Sequence, residues 1–226
     1  MIPIKDDMPT VRPPVLTIAL IVINVLVFVY EMALGSQVDH FIVKYGAVPY
    51  ELTHLTELTP GLSSPIVLTV FTSMFLHGGW FHVGSNMLFL WIFGNNIEDK
   101  LGHVRFLLFY LISGMVAVLT FVLTSPNARV PLVGASGAVS GLLGAYVVAF
   151  PRARVLTLIW VFFFVRLVWL PAAIFLGFWF VLQLLYGLPT LSSGGSGVAY
   201  FAHIGGFVFG MLYCRFSRLR QGGRHA

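Results

Sequence analysis

The chain has 226 residues, of which 58% are hydrophobic and only 9% charged, against about 25% charged residues in a soluble domain. That balance excludes an ordinary soluble enzyme, and the single cysteine, Cys214, excludes an internal disulfide. A formal net charge of +5 does not argue for nucleic acid, because basic residues in so apolar a chain mark the cytoplasmic loops of a membrane protein.

Taken in chain order, the apolar runs predict spans at about 15–34, 79–97, 103–123, 136–150, 168–186 and 199–215, most of them close to the roughly 20 residues that cross a hydrocarbon core. The expected fold class is therefore all-α, a polytopic six-transmembrane-helix bundle forming one membrane domain over 1–226, with core spans over about 15–215. The first run lacks a small-residue cleavage site and reads as a retained span, not a signal peptide. Six crossings place both termini on one side. With that side cytoplasmic, Lys5, Arg12, Lys100, Arg105, Arg152, Arg154, Arg166, Arg215, Arg218, Arg220 and Arg224 lie inside, leaving Lys44 and Arg129 outside, as the positive-inside rule requires. The stretch 152–166, three arginines among aromatics, reads as an interfacial connection. Outside lie a long first loop at about 35–78, the loop before Ser136, and SSGGSGV ahead of the last span.

The fourth span is short. Between Ser136 and Phe150, before Pro151, there are about 15 residues, or about 22 Å of helix, less than the bilayer core. Its outer end should open below the bilayer surface, where the non-helical backbone LVGA is tolerated only against protein or water. Ser136 is thus expected to face an enclosed aqueous pocket.

Polar groups at membrane depth are costly and invite a functional reading. They fall in FLHGGWFHVGSNM (His77, His82, Asn86), GASG (Ser136) and FAHIGG (His203), each near the outer end of its span. Gly137 and Gly141 repeat at i, i+4 on span four, as Gly206 and Gly210 do on span six, so two bare stripes can let the helices approach closely. His203 shares a face with Gly206 and Gly210, and Ser136 adjoins Gly137. Packing the stripes brings an imidazole toward a hydroxyl, the pairing that an activated serine needs. Because no Asp or Glu follows Asp99, a Ser136/His203 dyad is expected and not a triad. His82 and Asn86, on one helical face, and the Ser136 amide at a helix N-terminus are candidate donors to an oxyanion, so the set suits acyl transfer. Each residue has a plainer role as well: a serine beside glycines can simply pack, Asn86 can join helices, and His77 can tie down loop backbone. Convergence of three spans at one depth favours a site.

These residues resemble the rhomboid family of intramembrane serine proteases. The family's GxSG motif reads Gly134-Ala135-Ser136-Gly137; its paired histidines and asparagine read His77, His82 and Asn86; its AHxxGxxxG motif reads Ala202-His203 with Gly206 and Gly210. The resemblance runs from about residue 15 to 215. It implies a rhomboid-like bundle acting as an intramembrane serine endopeptidase, with Ser136 as nucleophile and His203 as general base and acid. His82, Asn86 and the Ser136 amide would form the oxyanion hole, His77 would support the first loop, and Glu98 would help hold the bundle at the inner end of span two. It further implies transmembrane protein substrates in a lipid bilayer, no nucleic-acid partner, no metal and no cofactor. The expected location is a prokaryotic plasma membrane, with cytoplasmic termini, the site opening outside, and either span five or SSGGSGV as gate.

The chain departs from the pattern in two respects. Some members carry Trp-Arg in the first loop where this chain has Leu68 and Thr69, and some place an aromatic ring four residues after the nucleophile, where this chain has Ser140. Three other readings stand beside the protease: an inactive rhomboid-like binder of transmembrane helices, a metal-dependent protease using His77, His82 and His203, and a small transporter. The absence of HExxH and of a nearby carboxylate disfavours the second, and the lack of midplane charges disfavours the third.

Overall fold

The computed structural model describes residues 1–59, 65–161, 163–191 and 199–217. Helices occupy all six predicted segments: α1 (Val15–Ala33), α5 (Trp80–Phe89) continuing through α6 (Asn95–Leu101), α7 (His103–Thr124), α8 (Ser136–Ala149), α9 (Ala172–Gly187) and α10 (Tyr200–Phe216). Three shorter helices, α2 (Val38–Tyr45), α3 (Pro49–His54) and α4 (Thr69–Thr72), lie in the long loop after α1. By length and composition α1 and α7 can each cross a membrane, and Ile66–Phe75 with Trp80–Leu101 qualifies as one pair bent by 81°. Helices α8, α9 and α10, at 14, 16 and 17 residues, are shorter. The protein is a membrane protein, mostly helical.

Helix α8 is the centre of the bundle. Every residue from Gly137 to Tyr146 is buried, as befits a helix that is apolar all round. Glycine makes this possible. A Cβ on Gly137 or Gly141 would run into Ala117 or Ser113 of α7, and one on Gly206 or Gly210 would meet the carbonyl oxygens of Gly137 and Gly141. The two stripes therefore meet, as the sequence suggested, and a third helix joins them. The α10 glycines sit on α8 backbone, while the α8 glycines open room for α7, so three helices meet closely where two were expected. Gly144 adds a further close approach, its missing Cβ directed at the Phe207 carbonyl.

Span two is continuous from Trp80 to Leu101, with a π-helical turn at Leu90–Gly94. Its C-terminal end grips α1. The Glu98 carboxylate accepts from Leu16 N–H at 2.8 Å and from Thr17 N–H and Oγ1, both at 2.7 Å. Helix α1 starts behind Pro13 and Pro14 with no side-chain cap of its own, so Glu98 supplies the missing acceptors from another helix, at the end where negative charge is favoured.

The expectation of an all-α chain needs correcting at this end. Strands β1 (Ile2–Asp6), β2 (Arg154–Val161) and β3 (Phe164–Pro171) form an antiparallel sheet in the order β1-β2-β3, with Val155 opposite Leu170 and Leu158 opposite both Leu167 and Ile2. The stretch 152–166 is thus a hairpin rather than a simple connection, and helix α9, predicted from 168, begins at Ala172. The physical reason is legible afterwards. RVLTLIWV and FVRLVWLP are rich in β-branched and aromatic residues, and Pro151 and Pro171 punctuate both ends. Asp6 of β1 reaches into the bundle, accepting from Tyr146 Oη of α8 and from Asn96 Nδ2 at 2.7 Å.

Candidate active site

Ser136 is the first residue of α8, preceded by a segment that the loop after α1 holds in place. Ala47 and Leu132 exchange backbone hydrogen bonds at 3.1 and 2.8 Å, Tyr50 N–H donates to the Ala128 carbonyl at 3.0 Å, and Gly134 N–H donates to the Ser73 carbonyl at 2.8 Å. Gly134 has φ of +122°, and a Cβ there would lie 2.6 Å from His82 Nε2, so this position requires glycine both for its backbone and for the space beside His82. Leu68 and Thr69 precede this contact: Thr69 is buried at the start of α4, and Thr72 Oγ1 donates to the Tyr45 carbonyl at 2.6 Å. The loop is pinned by hydroxyl and backbone bonds.

Helix α10 brings His203 to Ser136, with His203 Nε2 2.8 Å from Ser136 Oγ. The other ring nitrogen, Nδ1, lies 2.9 Å from Gln183 Oε1 of α9. One turn earlier on α9, the Trp179 ring stands 6.0 Å from the His203 ring at 36°. Neither Gln183 nor Trp179 emerges from the sequence, where α9 reads only as an apolar run; a lone glutamine within that run was the available signal. The aromatic neighbour absent at Ser140 is supplied by Trp179. Ser140 itself donates to the Ser136 carbonyl at 2.6 Å.

Span two contributes the remaining groups. His82 Nδ1 accepts from Gly78 N–H at 3.4 Å, which leaves the proton on Nε2, the nitrogen turned toward Gly134. Asn86 is buried, and its Nδ2 has no acceptor among the described residues. A buried donor left unmet costs about 1–3 kcal/mol, so an arrangement that retains one invites an explanation from function. The first amides of α8, that of Ser136 included, have no partner within the helix.

Two cavities flank these side chains. One, of about 310 Å³, lies beside the segment before α8 and is lined by His82, Pro131, Leu132, Val133, Ser136 and His203 among others. The second, of about 170 Å³, lies between span two and α9, with Asn86, Phe89, Val139, Leu143, Trp179 and Gln183 joining Ser136, His82 and His203 in its walls. Ser136, His203, His82 and Asn86 thus share one place. His77 lines neither cavity; its ring stands edge-on to His82 at 5.1 Å, and its N–H donates to both carboxylate oxygens of the buried Glu31 at 3.2 and 3.3 Å. Glu31, in the last turn of α1, is a further buried polar group that no motif in the sequence marks. The stretch SSGGSGV at 192–198, together with Arg218, Arg220, Arg224 and His225, lies outside the described residues.

Residues 65–219 match the rhomboid domain family. Among similar proteins, rhomboid protein 1 of Saccharomyces cerevisiae mitochondria is 31% identical over 157 residues, 65% of this chain and 40% of its own length. RHOMBOID-like protein 1 of Arabidopsis thaliana is 38% identical over 148 residues, 65% of this chain and 33% of its own. Rhomboid protease GluP of Bacillus subtilis is 35% identical over 133 residues, 58% of this chain and 24% of its own. The chain therefore spans two fifths or less of the length of these relatives. With more than half of its residues inside the family match, the chain belongs to the rhomboid family.

Proposed function

We propose that this protein is an intramembrane serine endopeptidase that hydrolyses peptide bonds in or near the transmembrane segments of membrane proteins. The observation that carries the reading is the 2.8 Å contact between Ser136 Oγ and His203 Nε2 beside two cavities. Membership of a family that includes a Bacillus subtilis protein named as a protease supports it. Ser136 Oγ attacks the substrate carbonyl while its proton passes to His203 Nε2. The oxygen that becomes charged accepts from the Ser136 amide, His82 Nε2 and Asn86 Nδ2. The carbon–nitrogen bond then breaks as His203 returns the proton to the departing amine. Water attacks the acyl-enzyme with His203 again taking a proton, and the carboxylate product leaves as Ser136 regains its hydrogen.

The same reading places one domain in the bilayer as six crossings with both termini cytoplasmic, the cavities opening outward, and α9 or the segment before α10 as gate. The short α8 is consistent with a serine lying below the outer surface. Glu98, His77 and the glycines at 134, 137, 141, 206 and 210 support the site without touching substrate. Cleavage of a single-span substrate in liposomes tests the proposal. Wild-type protein should cut it, while Ser136→Ala and His203→Ala should not; cleavage by Ser136→Ala would sink the reading. A serine-directed phosphonate that labels wild type and not Ser136→Ala would separate the enzyme from a binder of transmembrane helices.

A further inference from the structure

We infer that Gln183 is a positioning residue that selects the tautomer and orientation of His203. This rests on the reading of Ser136 and His203 as the reacting pair. A neutral imidazole has one N–H and one bare nitrogen, and the hydrogen bond made by one decides the state of the other. Gln183 Oε1, 2.9 Å from Nδ1, can only accept, so the proton resides on Nδ1. Nε2 is then bare at 2.8 Å from Ser136 Oγ, ready to receive the hydroxyl proton. In the opposite tautomer Nε2 would carry a hydrogen toward Ser136 and could not act as a base.

In a triad this task belongs to a carboxylate, which holds the imidazole and also stabilises its charged form. Here no Asp or Glu follows Asp99, and an amide occupies the position. Gln183 is 8% exposed, in the wall of the second cavity. It supplies direction without charge. Its place on α9 matters as well. Gln183 meets His203 Nδ1, and Trp179, one turn away, holds its ring 6.0 Å from the imidazole, whereas the hold of α10 on α8 depends on glycine contacts that do not involve α9. Displacing α9 would free Nδ1 while leaving His203 beside Ser136, so α9 governs whether the imidazole is correctly protonated as well as who enters the second cavity.

The test uses the full chain in detergent or liposomes. In ¹⁵N-histidine spectra of wild type, the His203 signals should report hydrogen on Nδ1 and none on Nε2; the reverse assignment overturns the proposal without any variant. In cleavage of a single-span substrate, Gln183→Leu should lower kcat by about ten-fold, the worth of one orienting hydrogen bond, with KM held within about two-fold. Gln183→Glu should recover kcat and move the acid limb of the pH–rate profile to higher pH, because a carboxylate favours the protonated ring. Wild-type kcat in Gln183→Leu, or a Gln183→Glu profile identical to wild type, would reject the assignment and point to packing alone. Should wild type itself fail to cleave, or Ser136→Ala succeed, the underlying protease reading fails instead, so the two failures are distinct.

Discussion

Gly210 lies so close to Gly141 that one added carbon would overlap the Gly141 carbonyl oxygen, and Gly206 stands in the same relation to Gly137. The obstacle is backbone, so no side chain can swing aside. Overpacking of a filled interior costs about 1–3 kcal/mol, and here relief requires moving α10 away from α8. Because His203 is one turn before Gly206 and Ser136 adjoins Gly137, that movement also opens the 2.8 Å contact. Gly206→Ala and Gly210→Ala should each lower the melting temperature in detergent and abolish cleavage. Gly84→Ala, where a Cβ meets nothing within 4 Å, should do neither, and matching behaviour of the three variants would refute the argument.

This relationship also shows how far the sequence could be read. The i, i+4 glycines announced a close approach of spans four and six, and the close approach is there. Which way each stripe faced was not legible, because two glycines one turn apart define a bare edge but not the neighbour that fills it; Ala117 and Ser113 of α7 are that neighbour for Gly137 and Gly141. Ser136, His82, Asn86 and His203 could be proposed together because polar groups at depth stand out against apolar runs. Gln183 and Glu31 stand out equally, yet their partners, His203 Nδ1 and the His77 amide, lie 20 and 46 positions away, and no periodicity links such distances. The hairpin at 154–171 escaped for a different reason: short apolar runs do not distinguish strand from helix until pairing with the N-terminus is known.

Glu98 saturates its carboxylate with donors from three residues. Oε1 accepts from Leu16 N–H and from His103 Nδ1 at 2.6 Å, and Oε2 from Thr17 N–H and Oγ1. Glu98→Gln turns one acceptor into a donor facing donors, which should cost about 1–3 kcal/mol. Glu98→Ala leaves the Leu16 and Thr17 amides without their acceptor and should cost more than Glu98→Gln. Thermal unfolding in detergent gives the order wild type, Glu98→Gln, Glu98→Ala; an Ala variant as stable as wild type would remove the capping role.

Asp6 lies outside the spans and carries a pH dependence. Burial raises its carboxyl above the usual range, the Tyr146 hydroxyl opposes that shift, and the Asp7 charge adds to it. The folded chain therefore binds this proton more tightly than the unfolded chain does. Its contribution to stability is largest below the unfolded value of about 3.9, declines as pH rises through the higher folded value, and is flat beyond. Melting temperatures across weakly acidic pH should show a falling component that Asp6→Asn removes. An unchanged slope in that variant would transfer the effect to another group.

Asn86 offers the sharpest separation of function from stability. Its buried Nδ2 has no acceptor among the described residues, so no protein group there offsets its desolvation. An oxyanion formed next to Ser136 would give it a partner only during reaction, the condition under which an interaction accelerates chemistry rather than merely tightening binding. Asn86→Leu, similar in size, should then lower kcat by about 10²–10³ while the melting temperature stays level or rises. A structural hydrogen-bonder behaves oppositely, losing stability first and activity in proportion. If Asn86→Leu melts well below wild type and the folded fraction retains full turnover, Asn86 serves helix packing, and oxyanion stabilisation rests on His82 and the Ser136 amide alone.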